Sequence, residues 1–216
     1  MSDKRDYLNG TGYTIAQKPG WYHFNSDTEL LGRFLKVHEG ERVLDIGCHQ
    51  GALLYYAYEQ AKIEAVGIDV FEEVLASARE NAQDNQVDFK FVCSRVQDYK
   101  EEPFDVILCN PPYFSSDLAN QNPYLDQARR EVHLPLKVLM ERVHYLLKPT
   151  GRFYLVHRAE KLPIILKEAQ AQGLSLSRLA IAYVNPQSKG KSLLMELKWG
   201  LNQECRVEQA IYLNHQ

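Results

Sequence analysis

Residues 42–157 repeat one pattern that leaves few folds open: short apolar runs alternate with amphipathic stretches of helical period. Runs at 42–46, 65–69, 89–93, 106–110 and 152–157 have strand length. The stretches at 52–60, 71–83, 130–147 and 161–172 carry apolar residues at helical spacing, bounded by Gly, Pro, Asp or Asn. A near-continuous apolar strand followed by a crossover helix is the unit of a parallel sheet covered on both faces. Past Gly173, runs at 177–184 and 193–199 have no helix between them, and Asn185-Pro186 with Gly190 make the link a turn. The expected fold is α/β, with a mostly parallel sheet closed by a C-terminal antiparallel hairpin. At 216 residues there is room for one such core. We expect an extension at 1–27, with a small hairpin within residues 10–27, and one domain at 28–216, opened by a helix at 28–35.

Val43-Leu-Asp-Ile-Gly-Cys-His-Gln-Gly51 is a strand running into a glycine-bearing turn and then a helix. Gly47 and Gly51 allow a ligand close to the backbone, and the helix N-terminus offers unpaired N–H groups. Eighteen residues after Gly51 the second run ends in Asp69, where a carboxylate can accept hydrogen bonds from the ribose hydroxyls of an adenosyl group. A dinucleotide fingerprint has the same acid but normally no carboxylate ahead of its first glycine, where this chain has Asp45.

The run ending at 110 leads into Asn110-Pro-Pro-Tyr113-Phe114. An exocyclic amine on a base is a poor nucleophile because its lone pair is delocalised into the ring. Acceptors at Asn110 Oδ1 and the Pro111 carbonyl would hold its N–H groups and aim the lone pair. Pro111 and Pro112 stiffen the turn and preorganise those acceptors. Tyr113 offers a flat face for a base, a contact worth roughly 1–3 kcal/mol. No metal is needed, and Cys48, Cys93, Cys109 and Cys205 form no CxxC pair, so they read as buried free thiols.

On these motifs the chain resembles the class I methyltransferases with an NPPY motif and a Rossmann-like fold. Among them it is similar to the bacterial tRNA adenine-N6 methyltransferases that act beside the anticodon of a valine tRNA. The segments 21–27, 128–131 and 147–162 carry the likeness to that family. The resemblance implies S-adenosylmethionine as cofactor, with Asp45, Gly47 and Gly51 on its methionine and ribose side and Asp69 on the ribose. It implies catalysis by Asn110, Pro111, Pro112 and Tyr113, with Phe114, Arg130, His157 and Arg158 toward the substrate.

Two positions depart from the family pattern. His49 stands where a third glycine is usual, and a positive φ there would cost a side chain on the order of 1 kcal/mol. Cys93-Ser-Arg95-Val stands where an acid commonly holds the cofactor's adenine; Arg95 cannot accept that bond, which leaves Asp98 as the candidate. The same chemistry serves guanine-N2 methylation of ribosomal RNA and glutamine methylation of proteins, and the two departures also fit a non-catalytic RNA-binding relative.

Charge distribution favours RNA. From 127 to 199, thirteen Lys and Arg face five Asp and Glu, an excess of +8 that leaves −11 for the rest of a chain whose total is −3. Arg129, Arg130, Arg158, Lys161, Lys189 and Lys191 are candidate phosphate contacts. No window approaches the roughly 18 apolar residues needed to span a bilayer. The charged start lacks an apolar signal segment, so a cytoplasmic location is expected.

Overall fold

The computed structural model describes residues 5–17, 24–111, 134–201 and 204–213. In chain order the elements are β1 (Arg5–Tyr7), β2 (Thr14–Ala16), α1 (Ser26–Phe34), β3 (Arg42–Ile46), α2 (Ala52–Gln60), β4 (Glu64–Asp69), α3 (Glu72–Asp84), β5 (Phe89–Cys93), β6 (Phe104–Cys109), α4 (Leu136–Leu146), β7 (Leu147–Arg158), α5 (Leu162–Ala171), β8 (Leu174–Tyr183), β9 (Gly190–Trp199), β10 (Arg206–Val207) and β11 (Ile211–Tyr212). A 3-10 turn, Ala159–Lys161, joins β7 to α5. The main sheet runs β10-β8-β9-β7-β6-β3-β4-β5, with β11 also on β8. From β5 to β7 every pairing is parallel; β9 is antiparallel to both β7 and β8.

Strand periodicity divides the core. Val43, Ala65, Val106, Leu108 and Tyr154 point to the face covered by α1, α2 and α3. Their neighbours Leu44, Val66, Ile107, Cys109 and Phe153 point to the face covered by α4 and α5, whose Leu139, Met140, Val143 and Ile165 are fully buried. Burial on both faces explains why these strands read as unbroken apolar runs.

The differences from expectation have local causes. The N-terminal hairpin is β1–β2, nearer the chain start than residues 10–27, with Arg5 opposite Ala16. It is held by side chains of α3: Asn81 Oδ1 accepts from Ala16 N at 2.7 Å, and Asn85 Nδ2 donates to the Thr14 carbonyl at 2.8 Å. Helix α4 begins at Leu136 rather than at 130, because Pro135 is extended at φ −59°, ψ 138°, and Leu134 precedes a proline. Strand β7 starts earlier, at Leu147 opposite Phe104, and its register shifts before Arg152 meets Val106. Short strands β10 and β11 were not expected; they line the outer edge of β8. Cys48 and Cys109 are buried free thiols, whereas Cys93, at the end of edge strand β5, and Cys205 are exposed. None of the described helices is long and apolar enough to cross a membrane.

Candidate active site

Residues of interest gather at the C-terminal edge of the parallel strands, where open α/β sheets build ligand sites. Ile46 pairs with Ile68 on β4 and with Cys109 on β6, so the ends of these three strands are level. Asp45 precedes Ile46, Asp69 follows Ile68, and Asn110 follows Cys109.

Asp45 is 2% exposed, and its Oδ1 has no hydrogen-bond partner among the described residues. Burial, with the Asp69 carboxylate adding to it, pushes the Asp45 carboxyl up to about 8. A buried carboxyl oxygen without a partner is a place for a ligand's hydrogen-bond donor. Beside it Gly47 has φ +72°, and a Cβ there would meet no atom of the described residues within 4 Å, so its face is open among them. Gly51 caps α2 in the left-handed conformation at φ +84° with Phe91 against it. The first turn of α2 contains no acid.

His49 does adopt a positive φ, +50°. Its N–H donates to Asp69 Oδ2 at 3.0 Å, which ties the turn to β4 and offsets the strain. Asp69 Oδ1 accepts from Val70 N at 2.7 Å and Phe71 N at 3.2 Å. Three backbone donors therefore occupy a carboxylate with about four acceptor sites, leaving Oδ2 the free capacity. Burial raises the Asp69 carboxyl against those three bonds, which lower it. Gln50, 2% exposed, fastens the back of the turn through Nε2 to the Ala16 carbonyl at 2.7 Å and to Ser77 Oγ at 3.1 Å.

Asn110 is half-buried, and its Nδ2 donates to Thr28 Oγ1 at 2.9 Å. Thr28 lies in the first turn of α1, where Asn25 Oδ1 accepts from the backbone N of Asp27 and of Thr28. Asp27 Oδ1 accepts from Ser192 Oγ on β9 at 2.7 Å. Pro111 is partly exposed, while Pro112, Tyr113, Phe114 and Arg130 lie outside the described residues, as do segments 21–23 and 128–131. Sequence reasoning missed Thr28, Ser192 and Gln50. The capping pattern Asn25-Ser-Asp-Thr28 is the one sequence signal that could have drawn attention to the first, as a helix start.

On the same edge, β7 ends in His157 and Arg158, opposite Leu193 and Ser192 of β9. Burial, with Lys161 and Arg158 adding to it, pushes the His157 imidazole down to about 4, so it is neutral at pH 7. His157 Nδ1 accepts from Arg158 N at 2.9 Å, which leaves the ring proton on Nε2. Arg158, Lys161, Lys189 and Lys191 are exposed. Gly190 packs near Ala159, bringing the β8–β9 turn beside the end of β7. Asp98 is exposed, on a turn closed by its own N–H to the Arg95 carbonyl at 3.1 Å.

A family model described as a methyltransferase domain matches residues 37–201. A tRNA1(Val) (adenine(37)-N6)-methyltransferase of Pedobacter heparinus is 31% identical over 171 residues, 76% of this chain and 72% of the relative. One of Dyadobacter fermentans is 28% identical over 192 residues, 86% and 79% of the two chains. Among solved structures, a tRNA (uracil-54, C5)-methyltransferase of Pyrococcus abyssi in complex with S-adenosyl-L-homocysteine superposes with a TM-score of 0.64 at 20% identity. That match covers 91% of this chain and 44% of the other.

Proposed function

Since the chain belongs to the class I methyltransferases, in the family of the tRNA1(Val) adenine-N6 enzymes, we propose that it methylates N6 of an adenine in tRNA, at the anticodon-side position 37. It is an S-adenosylmethionine-dependent N-methyltransferase with the Rossmann-like fold of that class. The cofactor supplies a methyl group already activated by a positive sulfur, so the protein's work is binding and aiming.

One observation carries the reading: the buried, unpartnered Asp45 Oδ1 beside the open face of Gly47 stands one strand away from Asn110. Asn110 lies two residues past Leu108, the register partner of Asp45, so the two side chains belong to the same edge of adjacent strands. In this reading Asp45 takes the cationic methionine end of the cofactor, the Gly47–Gly51 turn lies along it, and the open site on Asp69 Oδ2 accepts from the ribose. Asp98 is the candidate for the adenine amine. Asn110 Oδ1 and the Pro111 carbonyl hold the two N–H groups of the target amine, with Pro112, Tyr113 and Phe114 completing the base site. Arg158, Lys161, Lys189 and Lys191, with Arg130, receive phosphates, and neutral His157 offers Nε2–H as a donor.

The test is transfer of labelled methyl from S-adenosylmethionine to tRNA lacking the enzyme's own modification, followed by nucleoside analysis. The expected product is N6-methyladenosine. Asn110→Ala should abolish transfer, with a loss of 100-fold or more expected on the order of an oxyanion-donor deletion, while calorimetry still shows cofactor binding. Cofactor binding with no methyl on tRNA, and methyl appearing on ribosomal RNA or protein, would refute the tRNA assignment.

A further inference from the structure

We propose that Gln50 is a positioning residue for the cofactor: its side chain ties the Gly47–Gly51 turn to the N-terminal hairpin, which couples the order of the hairpin to cofactor affinity. This inference rests on the placement of the cofactor at that turn. Gly47, His49 and Gly51 stand at φ +72°, +50° and +84°, and of the three only His49 carries a side chain in that conformation at a steric cost. Such a turn keeps its shape only where neighbours hold it. Its first half is held by β4: Gly47 N and Cys48 N both donate to the Ile68 carbonyl, at 2.9 and 3.0 Å, and His49 N donates to Asp69 Oδ2 at 3.0 Å.

The second half is held through Gln50, whose Nε2 donates to the carbonyl of Ala16, 34 residues earlier, at 2.7 Å and to Ser77 Oγ of α3 at 3.1 Å. A carbonyl can only accept, so the nitrogen end of the amide is identified, and its two donors meet two acceptors. Gln50 and Ser77 are both buried, so water competes poorly for these bonds. Ala16 ends β2, and Asn81 of α3 grips both of its backbone polar groups: Oδ1 accepts from Ala16 N at 2.7 Å, and Nδ2 donates to the Ala16 carbonyl at 3.4 Å. One carbonyl thus joins the cofactor turn, the hairpin and α3. The hairpin has only two three-residue strands, seated in the core by Leu8 and Ile15. Two-stranded hairpins have little stability of their own, so its order depends on what it touches. A cofactor that settles on the ordered turn therefore orders the hairpin, and by reciprocity a loosened hairpin weakens cofactor binding.

Two variants and two readouts test this. Gln50→Met keeps the length of the side chain and removes its donors. In calorimetry it should raise Kd for S-adenosylmethionine by about tenfold, a size usual for coupled sites. At saturating cofactor its kcat should stay within about twofold of the wild type, since the transfer groups are untouched. Asn81→Ala loosens the hairpin without touching the turn and should also raise Kd. In the Gln50→Met background it should raise Kd no further, because the tie through which the hairpin acts is already cut. A merely structural role would lower the melting temperature and leave Kd unmoved. The second readout needs no turnover: saturating S-adenosylhomocysteine should slow hydrogen exchange at the Ala16 amide in the wild type and leave it unchanged in Gln50→Met. A wild-type Kd in Gln50→Met, or Ala16 exchange indifferent to the cofactor in the wild type, overturns the proposal. Asp69→Ala separates the two ways of failing. If it weakens binding and Gln50→Met does not, the coupling alone falls; if neither does, the placement of the cofactor at the turn falls with it. Should Gln50→Met fail to fold, the wild-type exchange and Asn81→Ala decide: no protection of Ala16, or an unchanged Kd in Asn81→Ala, overturns the coupling.

Discussion

Asp45 is the residue whose environment departs most from what its type would choose: a carboxylate, 2% exposed, with an oxygen that nothing among the described residues satisfies. With its carboxyl raised from 3.8 to about 8, the folded chain holds a proton across that window that the unfolded chain has released. Stability then falls as pH rises through the window, because the unfolded state binds fewer protons there. Asp45→Asn should flatten that decline, so thermal melts of the ligand-free variant and wild type should diverge progressively from pH 5 toward about 8, the variant being the more stable. A constant gap between the two curves would contradict the proton account. The same shift predicts that binding a cationic methionine group releases a proton, and calorimetry in two buffers of different ionisation heat should record release near pH 7. His157 acts in the opposite sense: with its imidazole lowered from 6.5 to about 4, it contributes stability gained as pH rises across that interval. The comparison with Asp45→Asn cancels it.

At the scale of elements, the sequence was most legible where both ends of a segment carry a physical signal. Helix α2 runs from the left-handed cap Gly51 to Gln60, and β3 and β5 have the bounds their apolar runs predicted. It was least legible where a pairing far along the chain sets the bound, as at β7, which is extended by pairing Leu147 with Phe104. Helix α1 carries Thr28, which bonds Asn110, and its seat on α2 depends on Gly32. A Cβ at Gly32 would overlap the Tyr56 ring of α2 at the ring carbons nearest the backbone, atoms with little freedom to retreat. Gly32→Ala should therefore destabilise the fold by about 1–3 kcal/mol, measured in urea, through overpacking. It should also slow methyl transfer, since α1 must shift and move Thr28 against Asn110. Transfer at the wild-type rate would show that the seat of α1 does not matter to the site.

For the whole molecule, the uneven charge acquires a direction. Arg158 ends β7, Lys191 lies on the adjacent β9 and Lys189 on the turn just before it, so the three sit on the edge that carries Asn110. If they receive phosphates, replacing each by Glu should raise KM for tRNA with little change in kcat, and should reduce the salt slope of binding by about 1 for each phosphate no longer neutralised. An unaltered slope in the triple variant would remove this face from the RNA path. The sequence alone determined the parallel α/β sheet, the glycine turn with its two acids, and the motif at Asn110, because each depends on local periodicity or on residue types at short spacing. Only the tertiary structure decided what those residues meet: that Asp69 spends three of its acceptor sites on backbone N–H groups, that Asp45 has an oxygen with no partner among the described residues, and that Thr28 bonds the Asn110 amide while Ser192 bonds Asp27. Hydrogen bonds between residues 82 and 165 positions apart leave no periodic trace in a sequence, since they are set by how strands and helices stack and not by the order in which the chain supplies them.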